Sequence, residues 1–201
     1  MPLTNEAGLG VPLLQRNLVE GAVCSLSMKF AILPMALLMS SAFGQSDLPD
    51  AGPAPELTGS TWINVEKPIT LKSLKGRVVL VHFWTLACIN CKHNLPTYNA
   101  WFERYKDEKF SMIGIHTPEL DFEKELSNVK DAVKEREIKY PVLVDTEGKN
   151  WTNWQQEYWP AIYLVDKQGH VRDRWNGELE YRHAGGTARI EREIKELLAE
   201  D

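Results

Sequence analysis

The stretch Arg77-Val78-Val79-Leu80-Val81-His82-Phe83-Trp84 limits what this 201-residue chain can fold into more than any other. It is a nearly unbroken run of β-branched and aromatic residues, too apolar for a strand with one wet face, and it predicts a central strand buried on both faces. The elements around it follow from periodicity. Leu95, Tyr98, Trp101, Phe102 and Tyr105 share one face of a helix predicted over 90–106, which Pro96 should bend. Strands are predicted at 110–116, 141–145, 161–166 and 170–175, the last two joined by a Lys167-Gln168-Gly169 turn, with helices over 122–137 and 188–199. The order is a βαβ half joined to a ββα half, a single α/β domain whose mixed central sheet is flanked by helices.

Size and charge narrow the function. The 43% apolar content supports a sizeable core, and the net charge of −5 comes from Lys and Arg dispersed among Asp and Glu. No basic stripe exists to track a phosphate backbone, so nucleic acid is not an expected partner. Nor does a Gly-rich phosphate cradle appear; Gly185-Gly186 reads as a loop, and no cofactor is expected. Asn150-Trp151-Thr152 matches a glycosylation sequon, a pattern too short to carry weight.

The N-terminus reads as an address. From Met28 a lysine, an apolar run from Phe30 to Met39 and small residues ending at Gly44 give the three-part layout of a signal peptide, with a cut before Gln45. Residues 1–44 are therefore expected to be an extension plus signal, 45–60 a flexible linker rich in Pro, Gly, Ala and Asp, and 61–201 the folded domain. Removal of 1–44 takes Cys24 with it, leaving Cys88 and Cys91 in an oxidising, exported compartment.

Cys88 and Cys91 stand at C-x-x-C spacing just after the buried strand, where a helix begins. A Cys in the first turn of a helix faces unpaired N–H groups and the positive end of the dipole, which lower its pKa below the free value of about 8.5. One turn on, a second Cys can attack a mixed disulfide formed at the first. Cys88 is thus the expected attacking thiolate and Cys91 the resolving one.

The segment Cys88-Ile89-Asn90-Cys91-Lys92-His93-Asn94-Leu95-Pro96, with His116-Thr117-Pro118-Glu119 and Tyr158-Trp159-Pro160-Ala161, resembles the thioredoxin superfamily. It looks most like the periplasmic TlpA-like branch and the C-terminal domains of DipZ-type proteins. The resemblance runs from about residue 62 to the C-terminus and implies a thioredoxin-like fold and thiol-disulfide oxidoreductase activity on protein thiols or disulfides. It also implies a cis bond at Trp159–Pro160, whose exposed backbone would pair with an extended substrate, and a membrane electron donor that keeps the pair reduced; the opposite direction, disulfide donation, stays open. Trp84 and Trp159 flank the motif and the proline, and are assigned with Pro160 to a substrate-binding collar, whereas Trp151 and Trp154 are assigned to the core. Two departures stand out: His82 occupies the place of a buried Asp in thioredoxins, and Asn94 that of a Glu in many TlpA-like proteins. His82 and Glu119 are accordingly the candidates for proton transfer to or from Cys91.

Rival chemistries fit less well. A metal module would use Cys88, Cys91 and His93 but lacks a second knuckle, so no metal is expected; a c-type haem would need His where Lys92 stands. A peroxiredoxin-like peroxidase is suggested by Thr85, three residues before Cys88, but that resemblance also calls for a Pro where Val81 lies. If the address is read correctly, N-terminal sequencing of exported protein should begin at Gln45, and a retained segment 28–44 would mark an anchor instead.

Overall fold

The computed structural model describes residues 46–201; the extension and signal expected at 1–44, Cys24 included, lie outside the described residues. The strands are β1 (Trp62–Ile63), β2 (Val78–Trp84), β3 (Phe110–His116), β4 (Val142–Val144), β5 (Ala161–Val165) and β6 (Val171–Asn176). The α-helices are α1 (Ile89–Tyr105), α2 (Leu126–Glu135), α3 (Lys149–Asn153) and α4 (Gly186–Ala199). All six strands form one sheet in the order β1-β4-β3-β2-β5-β6. It is mixed: β2 runs parallel to β3, and β3 to β4, while β2–β5, β5–β6 and β1–β4 are antiparallel.

The apolar run behaves as its composition demands, since every residue of β2 is buried. Val78, Leu80 and Trp84 face one core with α1, α2 and α4, through residues such as Leu95, Trp101, Val129, Ile190 and Ile194. Val79, Val81 and Phe83 face a second core with Leu57, Leu71, Ile113, Ile115 and Trp154. Covering both faces is what lets so hydrophobic a strand sit in water-soluble surroundings, each fully buried Val, Leu or Phe contributing roughly 1.5–3 kcal/mol.

α1 is continuous through Pro96, and two other local expectations change. The single helix expected over 122–137 is a 3-10 turn (Asp121–Lys124) followed by α2, because Glu125 breaks the path with an extended backbone. The segment expected to be a flexible linker is docked: Ala51 N–H donates to the Val171 carbonyl at 2.9 Å, Val171 N–H to the Gly52 carbonyl at 2.9 Å, and Leu57 is buried. Arg172 explains the docking. Its buried guanidinium binds Asp166 at 3.1 Å and Glu200 at 3.2 Å, and also donates to the carbonyls of Leu48 at 2.9 Å and Pro49 at 3.1 Å. Composition reads such a stretch as a linker because its backbone finds partners only once β6 exists. Asn150 of the sequon is likewise buried, its side chain bonded to Thr58 and Asp145.

Gly114, in the middle of β3, marks a place where the layers press closely. A Cβ there would lie 2.9 Å from His82 Nε2 and 3.2 Å from both Trp84 Nε1 and a Tyr140 ring carbon. All three belong to rings that are themselves buried and cannot swing away. Gly114→Ala is expected to cost about 1–3 kcal/mol by overpacking, read as a lower urea midpoint at unchanged m.

Candidate functional site

Strand direction gathers the site. β2, β3 and β4 end, β5 begins and β6 ends on the same side of the sheet, as the pairings Trp84 with His116 and Ala161 with both Phe83 and Asn176 show. The loops at that side carry the residues singled out above.

Cys88 is the N-cap of α1, and Cys91 lies in its first turn. The two are joined as a disulfide, with their Cα atoms 5.3 Å apart, and the Cys91 N–H donates to Cys88 Sγ at 3.1 Å. Cys88 is partly exposed whereas Cys91 is buried at 1%. One sulfur thus meets solvent with a peptide dipole aimed at it, and the other sits behind it.

The link from β2 to Cys88 is only residues 85–87, and each of its members is held. Thr85 donates its hydroxyl to Glu123, Ala87 N–H donates to Glu123 at 2.6 Å, and the Leu86 carbonyl accepts from Arg136 at 2.9 Å. Glu123 is fully buried and also accepts from the backbone N–H groups of Glu119 at 2.6 Å and Leu120 at 3.0 Å. Burial pushes its carboxyl up, but the bonds from Thr85 and the three N–H groups outweigh it and hold the group below its ordinary value. Arg136 lies over the Trp84 ring at 5.6 Å. His116, at the end of β3, packs edge-on to Trp84 at 5.1 Å. Burial lowers its pKa to about 4, with Glu123 opposing and Arg136 assisting.

The other expected site residues are only partly brought together. The Trp159–Pro160 peptide is cis, and Trp159 is half-buried, stacked on Trp151 with ring centres 4.1 Å apart. Trp151 is therefore half-exposed beside Trp159 and not fully in the core, as Trp154 is. Trp84, expected in an exposed collar, is buried at 1% beneath Arg136, so it supports the site from below and presents no surface to a substrate. Alternation along a two-sided strand hides this, since every residue of β2 has a buried face to point into. His82 is completely buried between Tyr98, 4.7 Å away, and Tyr140, 5.3 Å away, with neither ring nitrogen hydrogen-bonded among the described residues. Burial drops its pKa to about 3 and keeps it neutral. Glu119 is exposed on the loop after β3, and the buried carboxylate of that loop is Glu123. His93 is exposed and pairs with Glu178 at 3.0 Å. Asn94 has a structural task, donating to Tyr98 at 2.9 Å and the Gly177 carbonyl at 3.2 Å while accepting from Leu179 N–H at 2.9 Å, which ties α1 to the loop after β6. Glu123 and Arg136 are the residues that sequence reasoning missed. A single helix over 122–137 would put Glu123 in an ordinary first turn, and only the Pro118 that precedes it hinted at a turn there.

A mixed sheet of this order with a C-x-x-C pair at the head of α1 defines a thioredoxin-like dithiol–disulfide protein. The chain belongs to the AhpC/TSA family, whose model matches residues 51–174. Over 149 residues it is 44% identical to protein DipZ of Mycobacterium tuberculosis, a match that covers 73% of this chain and 21% of DipZ, so the chain spans about a fifth of that relative. Over 150 residues it is 31% identical to the thiol-disulfide oxidoreductase YkuV of Bacillus subtilis, covering 74% of this chain and 95% of YkuV. A solved thioredoxin-like protein in the oxidised form superposes with a TM-score of 0.63 at 30% identity, over 73% of this chain and 95% of that one.

The buried histidine has a consequence for stability. A His whose folded pKa lies below its unfolded value of 6.5 must stay uncharged, so the unfolded chain takes up the proton first and stability falls as the pH drops from about 6.5 towards 3. Glu193 acts with the opposite sign, because burial and the neighbouring Asp173 carboxyl push its carboxyl up to about 7. Comparing urea unfolding of the native chain with His82→Phe isolates the histidine. The substitution should remove about 1.4 kcal/mol per pH unit of slope between pH 6 and 4, and equal slopes would show that His82 protonates while folded.

Proposed function

We propose that the protein is a thiol-disulfide oxidoreductase acting on protein thiols or disulfides, Cys88 attacking and Cys91 resolving. The observation that carries this reading is the unequal pair: a reachable sulfur that accepts a backbone N–H at a helix start, bonded to a shielded twin in the first turn. The name of YkuV supports the activity. The peroxidase reading is weaker, because the Thr85 hydroxyl that suggested it is buried and bound to Glu123.

In the reducing direction, the Cys88 thiolate attacks a substrate disulfide; the substrate S–S bond breaks and a mixed disulfide forms. Cys91 then gives up its proton and attacks Cys88 Sγ, so that the Cys88–Cys91 disulfide forms and the second substrate sulfur leaves. Two electrons pass to the substrate, and the opposite direction runs the same steps in reverse. Of the candidate proton acceptors, His82 is a weak base because it protonates only near 3, and Glu119 is solvated. A departing thiolate with a pKa near the ordinary value of about 8.5 is the stronger base, and we assign it the Cys91 proton.

The surface around the pair suits a macromolecule. Ile89, Leu120, Phe122, Tyr158 and Tyr181, the large apolar side chains left exposed among the described residues, all lie in segments at the sulfur end of the sheet. The backbone of Trp159, turned outward by Pro160, is the edge against which an extended segment would lie, while Pro160 itself is buried with its carbonyl accepting from Gly177 N–H at 2.7 Å. We also propose export through residues 28–44 to the periplasm, where a membrane electron donor would keep the pair reduced; among the described residues no helix is long and apolar enough to cross a membrane.

Two substitutions test the assignment. Cys88→Ser should reduce insulin-disulfide turnover to background, whereas Cys91→Ser should accumulate a mixed disulfide with its substrate, seen as an added mass that dithiothreitol releases. Undiminished turnover by Cys88→Ser would remove the nucleophile from the proposal.

A further inference from the structure

We propose that Glu123 is a positioning residue for the Cys88–Cys91 pair, and that its carboxylate, opposed by the guanidinium of Arg136, sets the pair's reduction potential through residues 85–87. The inference rests on the redox reading above and assigns a task to a group which that reading leaves idle.

The geometry is concentrated. Three residues separate the last residue of β2 from Cys88, and a single carboxylate takes both the Thr85 hydroxyl and the Ala87 N–H. Its other two donors, the N–H groups of Glu119 and Leu120, lie on the loop after β3. Glu123 therefore fastens the approach to Cys88 onto a separate part of the chain. Arg136, just past α2, completes the fastening at the Leu86 carbonyl. Such a carboxylate, fully buried and with four donors, is an anion by arrangement, since a protonated carboxyl would waste acceptor capacity that the backbone has been shaped to fill.

The charges have a defined effect on the sulfurs. The oxidised pair is neutral, while the reduced pair carries a thiolate on Cys88. An anion bonded one residue before Cys88 therefore penalises only the reduced form, and a cation two residues before it favours that form. Other charges nearby do not duplicate this. His116 is held neutral by burial, Asp121 and Lys124 pair with each other at 2.7 Å in solvent, Glu135 tempers Arg136 from outside, and His93 is paired with Glu178. Lys92 is exposed on α1. Glu123 and Arg136 are thus the opposed, sheltered charges on the segment that leads into Cys88, and they should act with opposite signs.

The test uses the full chain and the variants Glu123→Gln and Arg136→Met, equilibrated with glutathione and dithiothreitol redox buffers at fixed pH. Free thiols are counted by alkylation and mass, and Cys88 ionisation is followed by thiolate absorbance in the ultraviolet. Glu123→Gln should make the pair more oxidising by about tenfold in the exchange constant, about 30 mV for a two-electron couple, and should lower the pH at which Cys88 ionises. Arg136→Met should move both readouts the other way. Potentials unchanged in both variants, with only a fall in unfolding midpoint, would leave Glu123 a purely structural anchor and overturn the proposal; shifts of the same sign would also overturn it. Should Glu123→Gln fail to fold, Arg136→Met, which keeps all four donors of Glu123, decides alone. A native pair that never exchanges with these buffers sinks the redox assignment and this inference together, whereas exchange that is indifferent to both substitutions sinks the inference only.

Discussion

Because both faces of Val78–Trp84 are buried, the chain must supply packing partners above and below a single strand, and most of the architecture follows from meeting that demand. α1, α2 and α4 cover one face; Leu57, Leu71 and the α3 region cover the other. The crossover that begins at Trp84 has to turn at once into a helix that returns over the sheet, and the turn is where Cys88 sits. Cys88 thereby stands at a helix N-terminus directly after a strand buried on both faces.

Sheet topology then collects the rest of the site. Parallel pairing of β2 with β3 and antiparallel pairing of β2 with β5 bring the end of one strand, the end of the next and the start of a third to one edge. Loops far apart in sequence meet there: residues 85–87, the Glu123 turn and Trp159–Pro160. A rigid sheet carrying short tethered loops holds such a site more firmly than long loops could, and the fastening of 85–87 by Glu123 and Arg136 extends that rigidity to the last residue before Cys88.

The cost of this arrangement lies in the layer beneath α1. The His82 ring nitrogens, Trp84 Nε1 and the Tyr140 hydroxyl are buried without hydrogen-bond partners among the described residues. Each such group forfeits about 1–3 kcal/mol relative to a satisfied one. They converge around Gly114, where a Cβ would meet buried rings, on the face that carries the cysteines.

Periodicity and composition were enough to predict the order of elements and most strand positions, because those features depend on contacts within a few residues or on one apolar run, and the roles proposed for Cys88 and Cys91 rest on the same local chemistry. Pairings across the sheet were not legible in the same way. The docking of residues 46–60 on β6, the burial of Trp84 and the Glu123–Arg136 fastening each join segments tens of residues apart, and neither partner alone signals the other. Glu123 shows the difference most clearly: in the sequence it is one acidic residue among several after Pro118, and only the close approach of two loops turns it into a buried carboxylate bound to the segment before Cys88. Local chemistry therefore pointed to the two sulfurs, while the long-range packing of the tertiary structure decided which charged groups hold the segment that leads to them.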